Sequence, residues 1–343
     1  MKKIIFPLII SLVILSCKTG KKLPDVSGIK VELALKRFDQ DFFKIDTNNI
    51  PADIHALNIR YPILTPLFLQ NILGLDSTNY IPGVSRFLNL GKHMNDTIND
   101  VFGNTDWLKK DFEKAFQYVR YYFPQYKVPD IVTVNGPIDA LAQSSNGYTP
   151  DFLGPDFLGI SLQFYLGKNF SLYKEPFFIE NVAPAYRSRR FSKEYIIADA
   201  MMLVVDDLFP DNSRSKPLIE QMIEKGKQWY LLDKFLPTTA DSIKTGYTKN
   251  QLGWCNQNEG LIWSYIVKNE DLRSLNPVVI QTYIGEGPFT QGFSQELSPG
   301  NIGQWIGWQI IKKYAEKNPD LHPAELMKTT PTKILDEAGY KPK

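Results

Sequence analysis

Apolar and polar positions along the chain follow two spacings, one typical of strands and one typical of helices. Alternation with a period of two, which puts successive side chains on opposite faces of a strand, occurs at the start of 31–38 and at 158–167. A third segment, 128–134, is rich in β-branched residues and is closed by Asn135-Gly136. These three segments are predicted to be strands, and all of them lie in the N-terminal half.

Helical spacing dominates much of the remaining chain. From Leu108 to Phe123, apolar residues recur every three or four positions and form an amphipathic stripe that Pro124 ends. The pattern Thr248-x-x-Gln251 is that of a capping box and indicates a further helix start. Helices are predicted at 51–60, 106–123, 192–209, 217–235, 248–267, 300–316 and 333–338.

This order of elements predicts an α+β fold that is mostly α, with a small N-terminal sheet and a helical C-terminal half. Hydrophobic residues make up 43% of the 343 residues, which supplies an ample core and excludes disorder for the body of the chain. Gly303 and Gly307 share one helix face between two tryptophans and predict that a second helix packs closely there. No tandem repeat or Pro/Gly/Ser-rich linker divides the chain, so 28–343 is predicted to be one globular domain.

The first sixteen residues are predicted to be a lipoprotein signal peptide, 1–16. A positively charged start precedes the apolar run 4–15, which is too short to cross a hydrocarbon core of ~30 Å. Ser16 then stands directly before Cys17, as a lipoprotein signal peptidase requires. An ordinary secretory signal and a cytosolic N-terminus are the alternatives, and Cys17 disfavours both.

Lipidation would make Cys17 the first residue of the mature protein. At least two acyl chains, palmitate among them, are expected on this residue, and at ~0.8 kcal/mol per buried CH₂ two chains anchor a protein stably. Residues 17–27 would form a lipidated tether, whose basic stretch 18–22 can lie against anionic headgroups. The protein would then be anchored to a membrane without spanning it.

Net charge and cysteine content limit which partners and which disulfide bonds are expected. The formal net charge is +2, from 39 basic and 37 acidic residues without a long basic block, so nothing favours nucleic acid as a partner. With Cys17 lipidated, Cys255 is the single remaining cysteine, and an intramolecular disulfide cannot form. Cys255 is predicted to be a buried, small hydrophobic residue.

The familiar sequence motifs of catalysis are absent. No two of the histidines His55, His93 and His322 lie within one helical turn, so local zinc motifs such as H-x-x-x-H are missing. His55 and His322 are expected at or near the surface. There is no G-x-S-x-G elbow and no Walker or dinucleotide glycine pattern. No metal site and no cofactor are predicted.

Carboxylates are the remaining candidates for chemistry. Asp206-Asp207 ends a predicted helix, where the macrodipole disfavours acids by a few tenths of a kcal/mol. A ligand or an arginine of 187–190 could explain that position, and a solvated pair with nearby bases is the simpler alternative. Glu259 lies in an apolar setting, where burial without a partner would raise the pKa of its carboxyl group.

Five segments together resemble the gliding-motility lipoprotein B (GldB) family of Bacteroidetes. They are the lipobox at Cys17 and the segments 36–43 (KRFDQDFF), 164–167 (FYLG), 298–308 (SPGNIGQWIGW) and 334–342 (ILDEAGYKP). The resemblance implies a lipoprotein required by the gliding and type 9 secretion apparatus, with no established catalytic activity. In such bacteria an acidic cluster after the lipidated cysteine marks export to the outer face. None follows Cys17, so the expected location is the outer membrane, facing the periplasm.

The family is also distantly similar to predicted gluzincin proteases, in which one helix carries H-E-x-x-H and a later helix supplies a glutamate as the third zinc ligand. This similarity sets 198–202 (ADAMM) at the first motif and Glu259 at the third ligand. Asp199 then replaces the general base, and Ala198 and Met202 replace both histidines. Because catalytic zinc needs three protein ligands, the similarity implies a zincin-like scaffold without metal, with Asp199 and Glu259 as vestigial candidates.

Three functions therefore remain open. A non-catalytic accessory lipoprotein of a motility or secretion machine is favoured, with the membrane (through Cys17) and other envelope proteins as partners. A residual hydrolase would use Asp199, Glu259 or the pair Asp206-Asp207, and a solvent-open pocket with converging acids would favour it. A glycan-binding lipoprotein would use some of the 17 tyrosines and 6 tryptophans, and exposed aromatic stripes would favour that function.

Overall fold

The structure, a computed structural model, describes residues 23–144, 147–269 and 271–343. The predicted signal peptide 1–16, the lipidation site Cys17 and the first part of the tether lie outside the described residues. Among the helices of the described ranges, none is long and apolar enough to cross a membrane.

Six strands lie in the described part of the chain. They are β1 (Leu35–Arg37), β2 (Asp130–Val134), β3 (Ala142–Ser144), β4 (Gly147–Thr149), β5 (Phe152–Leu153) and β6 (Phe157–Ser161).

Helices make up most of the remaining structure. They are α1 (Phe38–Phe42), α2 (Ile50–Arg60), α3 (Leu64–Leu67), α4 (Tyr80–Phe102), α5 (Asp106–Tyr122), α6 (Pro176–Asn181), α7 (Ala185–Ser188), α8 (Ile196–Leu208), α9 (Leu218–Phe235), α10 (Asp241–Thr245), α11 (Lys249–Gln257), α12 (Glu259–Lys268), α13 (Pro277–Ile284), α14 (Ile302–Lys317), α15 (Pro323–Lys328) and α16 (Pro331–Ala338). A π-helical turn (Phe68–Ile72) continues α3, and short 3₁₀ turns include Leu162–Phe164 and Lys193–Tyr195. The prediction of an α+β fold that is mostly α is confirmed.

The sheet is small and mixed. Strands β1, β2 and β6 are parallel, and β5 pairs with β6 in the antiparallel direction at one edge, so the order is β1-β2-β6-β5. A separate hairpin joins β3 and β4. The predicted strands at 128–134 and 158–167 are therefore found, the second ending early in a 3₁₀ turn. The predicted strand at 31–38 is reduced to three residues, because α1 already begins at Phe38.

Helices cover both faces of this sheet. Ile131 on β2 joins one apolar core with residues of α5, α8 and α9, whereas its neighbour Val132 joins a second core with α1–α4. Successive residues of a strand point to opposite faces, so β2 separates the two cores. All residues of β6 are buried, as expected for a strand covered on both sides.

The predicted helix at 248–267 is divided into α11 and α12 at Asn258. The capping box at its start is confirmed, because Thr248 and Gln251 exchange their hydrogen bonds. At Asn258, the side-chain amide donates to the Trp254 carbonyl oxygen at 2.8 Å. Asparagine side chains compete in this way with the helical backbone, and here the competition ends α11.

Helices α9 and α14 pack together in the third core, which contains most of the C-terminal helices. A methyl group at Gly307 would overlap the Met222 carbonyl group, and one at Gly226 would overlap the backbone of Gly307. At Gly303, a methyl group would lie 2.8 Å from the Tyr283 carbonyl oxygen. The prediction that Gly303 and Gly307 permit close helix packing is confirmed.

Candidate functional site: a charged cleft along helix α8

One face of α8 forms the floor of an open cleft. Asp199, Met202, Leu203 and Asp206 line it at spacings of three and four residues, which places them on one side of the helix. The first and last of these lie about 10 Å apart along the axis, at 1.5 Å per residue. The cleft has a volume of about 120 Å³ and a charged group near each end of an apolar middle.

Asp199 is connected to a second, fully buried carboxyl group through a tyrosine. The Tyr165 hydroxyl lies 2.7 Å from Asp151 Oδ2 and 3.3 Å from Asp199 Oδ2. The Ser161 N–H donates to the other oxygen of Asp151 at 3.1 Å. Asp151 precedes β5 and Tyr165 follows β6, so the sheet edge brings both residues behind α8.

Burial dominates the ionisation of this group of side chains. Burial raises the pKa of Asp199 to about 6, although the nearby Arg190 and the Tyr165 hydroxyl act in the opposite direction. Burial also raises the pKa of Asp151 well above its usual value, and the charge of Asp199 adds to that shift. Two carboxyl groups so close to one another cannot both ionise easily.

Two arginines and a glutamate form the wall of the cleft beside Asp199. Glu286 Oε1 lies 2.7 Å from Arg190 Nη2, and Glu286 Oε2 lies 3.6 Å from Arg187 Nε. Arg187 also donates to the Tyr148 carbonyl oxygen on β4. Glu286 follows α13, so this wall joins segments that are about 100 residues apart in sequence.

The pair Asp206-Asp207 is divided between two surfaces. Asp206 faces the cleft and lies 3.5 Å from Gln228 Nε2 on α9. Asp207 is exposed and lines a separate groove with Tyr126, where burial and the charge of Asp207 both raise the pKa of that tyrosine. The two acids therefore line different surfaces.

Glu259 lies outside the cleft. It begins α12 and accepts a hydrogen bond of 2.7 Å from the Tyr340 hydroxyl group. The helix that packs beside α8 is α9, and Trp229 is the residue of α9 that lines the cleft. The structure therefore does not bring Asp199 and Glu259 together.

The cleft residues do not fit a zinc ion. Positions 198 and 202 line the cleft as alanine and methionine, and its lining includes no histidine. Across the described ranges, no group of three histidine, cysteine or acidic side chains is arranged to hold a metal. His55 and His322 are exposed, as predicted, and His322 caps α15 through its Nδ1 atom. Cys255 is buried and free, as predicted, and burial raises the pKa of its thiol.

Several residues of the site were not predicted from the sequence. Asp151 comes from a loop and Glu286 from a long glycine-containing segment, where no spacing or motif distinguishes them. Tyr165 follows a 3₁₀ turn and was noted only as part of the family-like segment 164–167, without a role. The one available signal was the arginine cluster 187–190 close to acidic residues. It indicated an ion pair, and the partner found is Glu286.

Comparison with known proteins gives one assignment. No curated protein and no solved structure matches the chain, so the zincin-like scaffold stays a prediction. The family model of gliding motility protein GldB, a family of lipoproteins, matches residues 19–342. Because this match covers nearly the whole chain, the protein belongs to the GldB family of gliding motility lipoproteins.

Proposed function

We propose that the protein is a non-catalytic accessory component of the gliding motility and type 9 secretion machinery. Acyl chains on Cys17 would hold it in the outer membrane, facing the periplasm. Its body would act by binding other envelope components. Family membership and the predicted lipobox support the anchored, motility-related part of this proposal. The chemistry of the cleft supports the non-catalytic part.

The observation that carries the proposal is that acids and hydroxyls of the cleft are already engaged with one another or with the backbone. Asp199 is hydrogen-bonded to Tyr165, and Glu286 forms ion pairs with Arg187 and Arg190. The Ser144 hydroxyl donates to the Gly147 carbonyl oxygen and the Thr245 hydroxyl donates to the backbone of α10. A general base must reach the proton of a nucleophile or of water, and the Thr245 hydroxyl already donates its proton to a backbone carbonyl oxygen.

A residual hydrolase is the second candidate, because the cleft is open and Asp199, Asp206 and Glu286 converge on it. A carboxyl group with a pKa of about 6, as at Asp199, suits general acid–base chemistry near neutral pH. Against this function, Ala198 and Met202 flank Asp199 where the gluzincin similarity requires zinc ligands. On this basis, the protein would be a degenerate zincin whose cleft binds a ligand but does not hydrolyse it.

Glycan binding has weaker support. The exposed aromatic side chains of the described ranges, Tyr121, Tyr148, Phe177 and Tyr265, belong to four different elements. None of the tryptophans is exposed, and three of them are buried. A row of neighbouring exposed rings, on which successive sugars could stack, is therefore not found among the described residues.

Affinity purification tests the binding role. The tagged, lipidated protein would be isolated from its native membrane beside Cys17→Ala, and co-purifying proteins would be identified by quantitative mass spectrometry. We expect motility or secretion envelope proteins in stoichiometric amounts with the lipidated protein and at least tenfold less with Cys17→Ala. Recovery of the lipidated protein alone, under conditions that preserve other envelope complexes, would contradict the accessory role.

A further inference from the structure

The Tyr165 hydroxyl group has one hydrogen and two carboxyl neighbours. At 2.7 Å it donates to Asp151 Oδ2, so its oxygen can only accept from Asp199, whose Oδ2 lies 3.3 Å away. Asp199 must then carry a proton. The reverse arrangement, in which Tyr165 donates to Asp199, requires the proton on Asp151. Either way, the hydrogen bonds need one proton shared by the two carboxyl groups.

The protonation of this pair decides the charge at one end of the cleft. Arg187 and Arg190 carry two positive charges there, and Glu286 neutralises one of them. While the proton is shared, Asp151 and Asp199 together carry one negative charge, which offsets the positive charge that Glu286 leaves on the arginine pair. When the proton is lost, the two carboxyl groups carry two negative charges, and this end of the cleft gains a net negative charge that disfavours an anionic ligand.

Other charged groups near the cleft keep their charge while the pair titrates. Arg189 adds a positive charge beside Arg190, but its guanidinium group donates to the Gly246 carbonyl oxygen and does not line the cleft. Lys244 lines the cleft, but its ammonium group is paired with Asp233 and Asp241. Tyr195 also lies near Asp199, and burial raises the pKa of its hydroxyl group, so it is neutral. Asp206 is about 10 Å away along α8.

The arginine pair already binds a carboxylate group, that of Glu286. This group comes from the segment Gly285-Glu286-Gly287, which links α13 to α14, and about a third of the glutamate side chain is exposed. A guanidinium group has five N–H donors, and Arg190 binds Glu286 through one nitrogen, Nη2. Beyond this point, the cleft continues over Met202 and Leu203 with Trp229 beside them.

From this juxtaposition we propose that the cleft is a binding site for a carboxylate ligand with a short apolar body, and that a proton shared by Asp151 and Asp199 controls its affinity. The carboxylate would bind at Arg187 and Arg190 in competition with Glu286. The apolar body would lie over the middle of α8. The inference rests on the proposed function, which gives the cleft the role of binding a ligand without converting it.

The test is calorimetric titration of the purified protein with N-acetyl-leucine and with its uncharged amide, at pH 5 and pH 8. We expect the acid to bind at least tenfold more tightly at pH 5 and the amide to bind at neither pH. Asp199→Asn should bind the acid with nearly equal affinity at both pH values, because the asparagine amide can donate to the Tyr165 oxygen and Asp151 then needs no shared proton. Glu286→Gln should increase the affinity severalfold.

Arg190→Gln should reduce binding of the acid at least tenfold, while the exposed Arg86→Gln should leave it unchanged. A blocked pentapeptide with a free C-terminus, compared with its amidated form, distinguishes a polypeptide end from a free small acid as the source of the carboxylate. Tighter binding of the free-ended peptide or of the small acid would each support the site.

Absence of binding to the folded wild-type protein at pH 5, equal binding of acid and amide, or full binding by Arg190→Gln would overturn the inference. These outcomes test ligand binding alone. If the proposed non-catalytic function is wrong and the cleft hydrolyses a substrate, the acid can still bind while Asp199→Asn abolishes motility. Failure of the ligand proposal and failure of the proposed function therefore give different results.

Discussion

Gly307 on α14 lies directly against the backbone of Met222 on α9, in a position where even a methyl group would overlap the Met222 carbonyl. Two helices can approach so closely only where a side chain is missing. The contact involves main-chain atoms on both helices, which cannot move aside as the end of a flexible side chain can. The packing of the C-terminal core therefore depends on this glycine.

We expect Gly307→Ala to lower the free energy of unfolding by about 1–3 kcal/mol, as overpacking in a filled core commonly does. Gly253→Ala is the matched control, because Gly253 also lies within a helix but has no atom within 4 Å of the added methyl group. Alanine should stabilise that helix by about 0.5–1 kcal/mol. Urea unfolding of both variants measures the difference, and equal effects of the two substitutions would contradict the packing argument.

Much of the fold could be predicted from patterns among residues that are close together in sequence. The stripe from Leu108 to Phe123 and the capping box at Thr248 depend on local spacing, and both appear in the structure. The longest helix, α4, was not predicted, because Pro82 and two glycines interrupt its pattern. Proline is nevertheless accepted in the first turn, where its missing N–H has no helical partner.

Of the residues that line the candidate site, Asp199 and Asp206 were predicted as possible catalytic acids, and the arginines of 187–190 as possible partners of an acid. Tyr165, which hydrogen-bonds with Asp199, and Asp151 behind Tyr165 are brought to α8 by the pairing of β5 with β6. Glu286 reaches the arginines from a loop before α14. Such contacts depend on the order of the strands and on loop positions, which local spacing does not encode. For the same reason Glu259, assigned to the site by similarity, lies elsewhere.

The ionisation of Asp199 should make stability depend on pH. Its carboxyl pKa is raised to about 6 by burial, from about 4 in the unfolded chain, so the folded protein binds more protons between these values. The contribution of Asp199 to stability is then fully present below pH 4 and is lost as the pH rises through 6. Asp199→Asn removes this loss, so its stability relative to wild type should increase from pH 4 to pH 6 and stay constant above.

Urea unfolding of wild type and Asp199→Asn at several pH values measures this difference. Taking the difference between the two proteins cancels the titration of groups that they share. A relative stability that does not change between pH 4 and pH 7 would contradict the raised carboxyl pKa of Asp199.

Removal of the predicted lipidation site should release the protein from the membrane. We expect Cys17→Ala to yield an unprocessed or soluble protein that does not restore function, because the acyl chains are the only strong membrane signal in the sequence. Fractionation with immunoblotting measures this, with the wild-type protein as control. Normal membrane retention of Cys17→Ala would refute the lipid anchor.

The purified body of the protein should bind neither zinc nor iron stoichiometrically. The reason is that Ala198 and Met202 occupy the positions where the gluzincin similarity requires histidines, and Glu259 is engaged with Tyr340. Elemental analysis of protein purified without chelators measures the metal content. About one metal per chain, lost in Glu259→Ala, would show that a metal site exists.

The central claim is that the protein works without catalysis, and complementation of a deletion strain tests it most directly. Asp199→Asn and Glu259→Gln would be compared with Gly303→Leu, with protein abundance followed by immunoblot. We expect both acid variants to restore motility and secretion, at a cost of at most about 1–3 kcal/mol in stability. Gly303→Leu should lower abundance, because its side chain would collide with Tyr283 and Met222. A stable, normally abundant Asp199→Asn protein that fails to restore function would contradict the claim and identify the cleft as an active site.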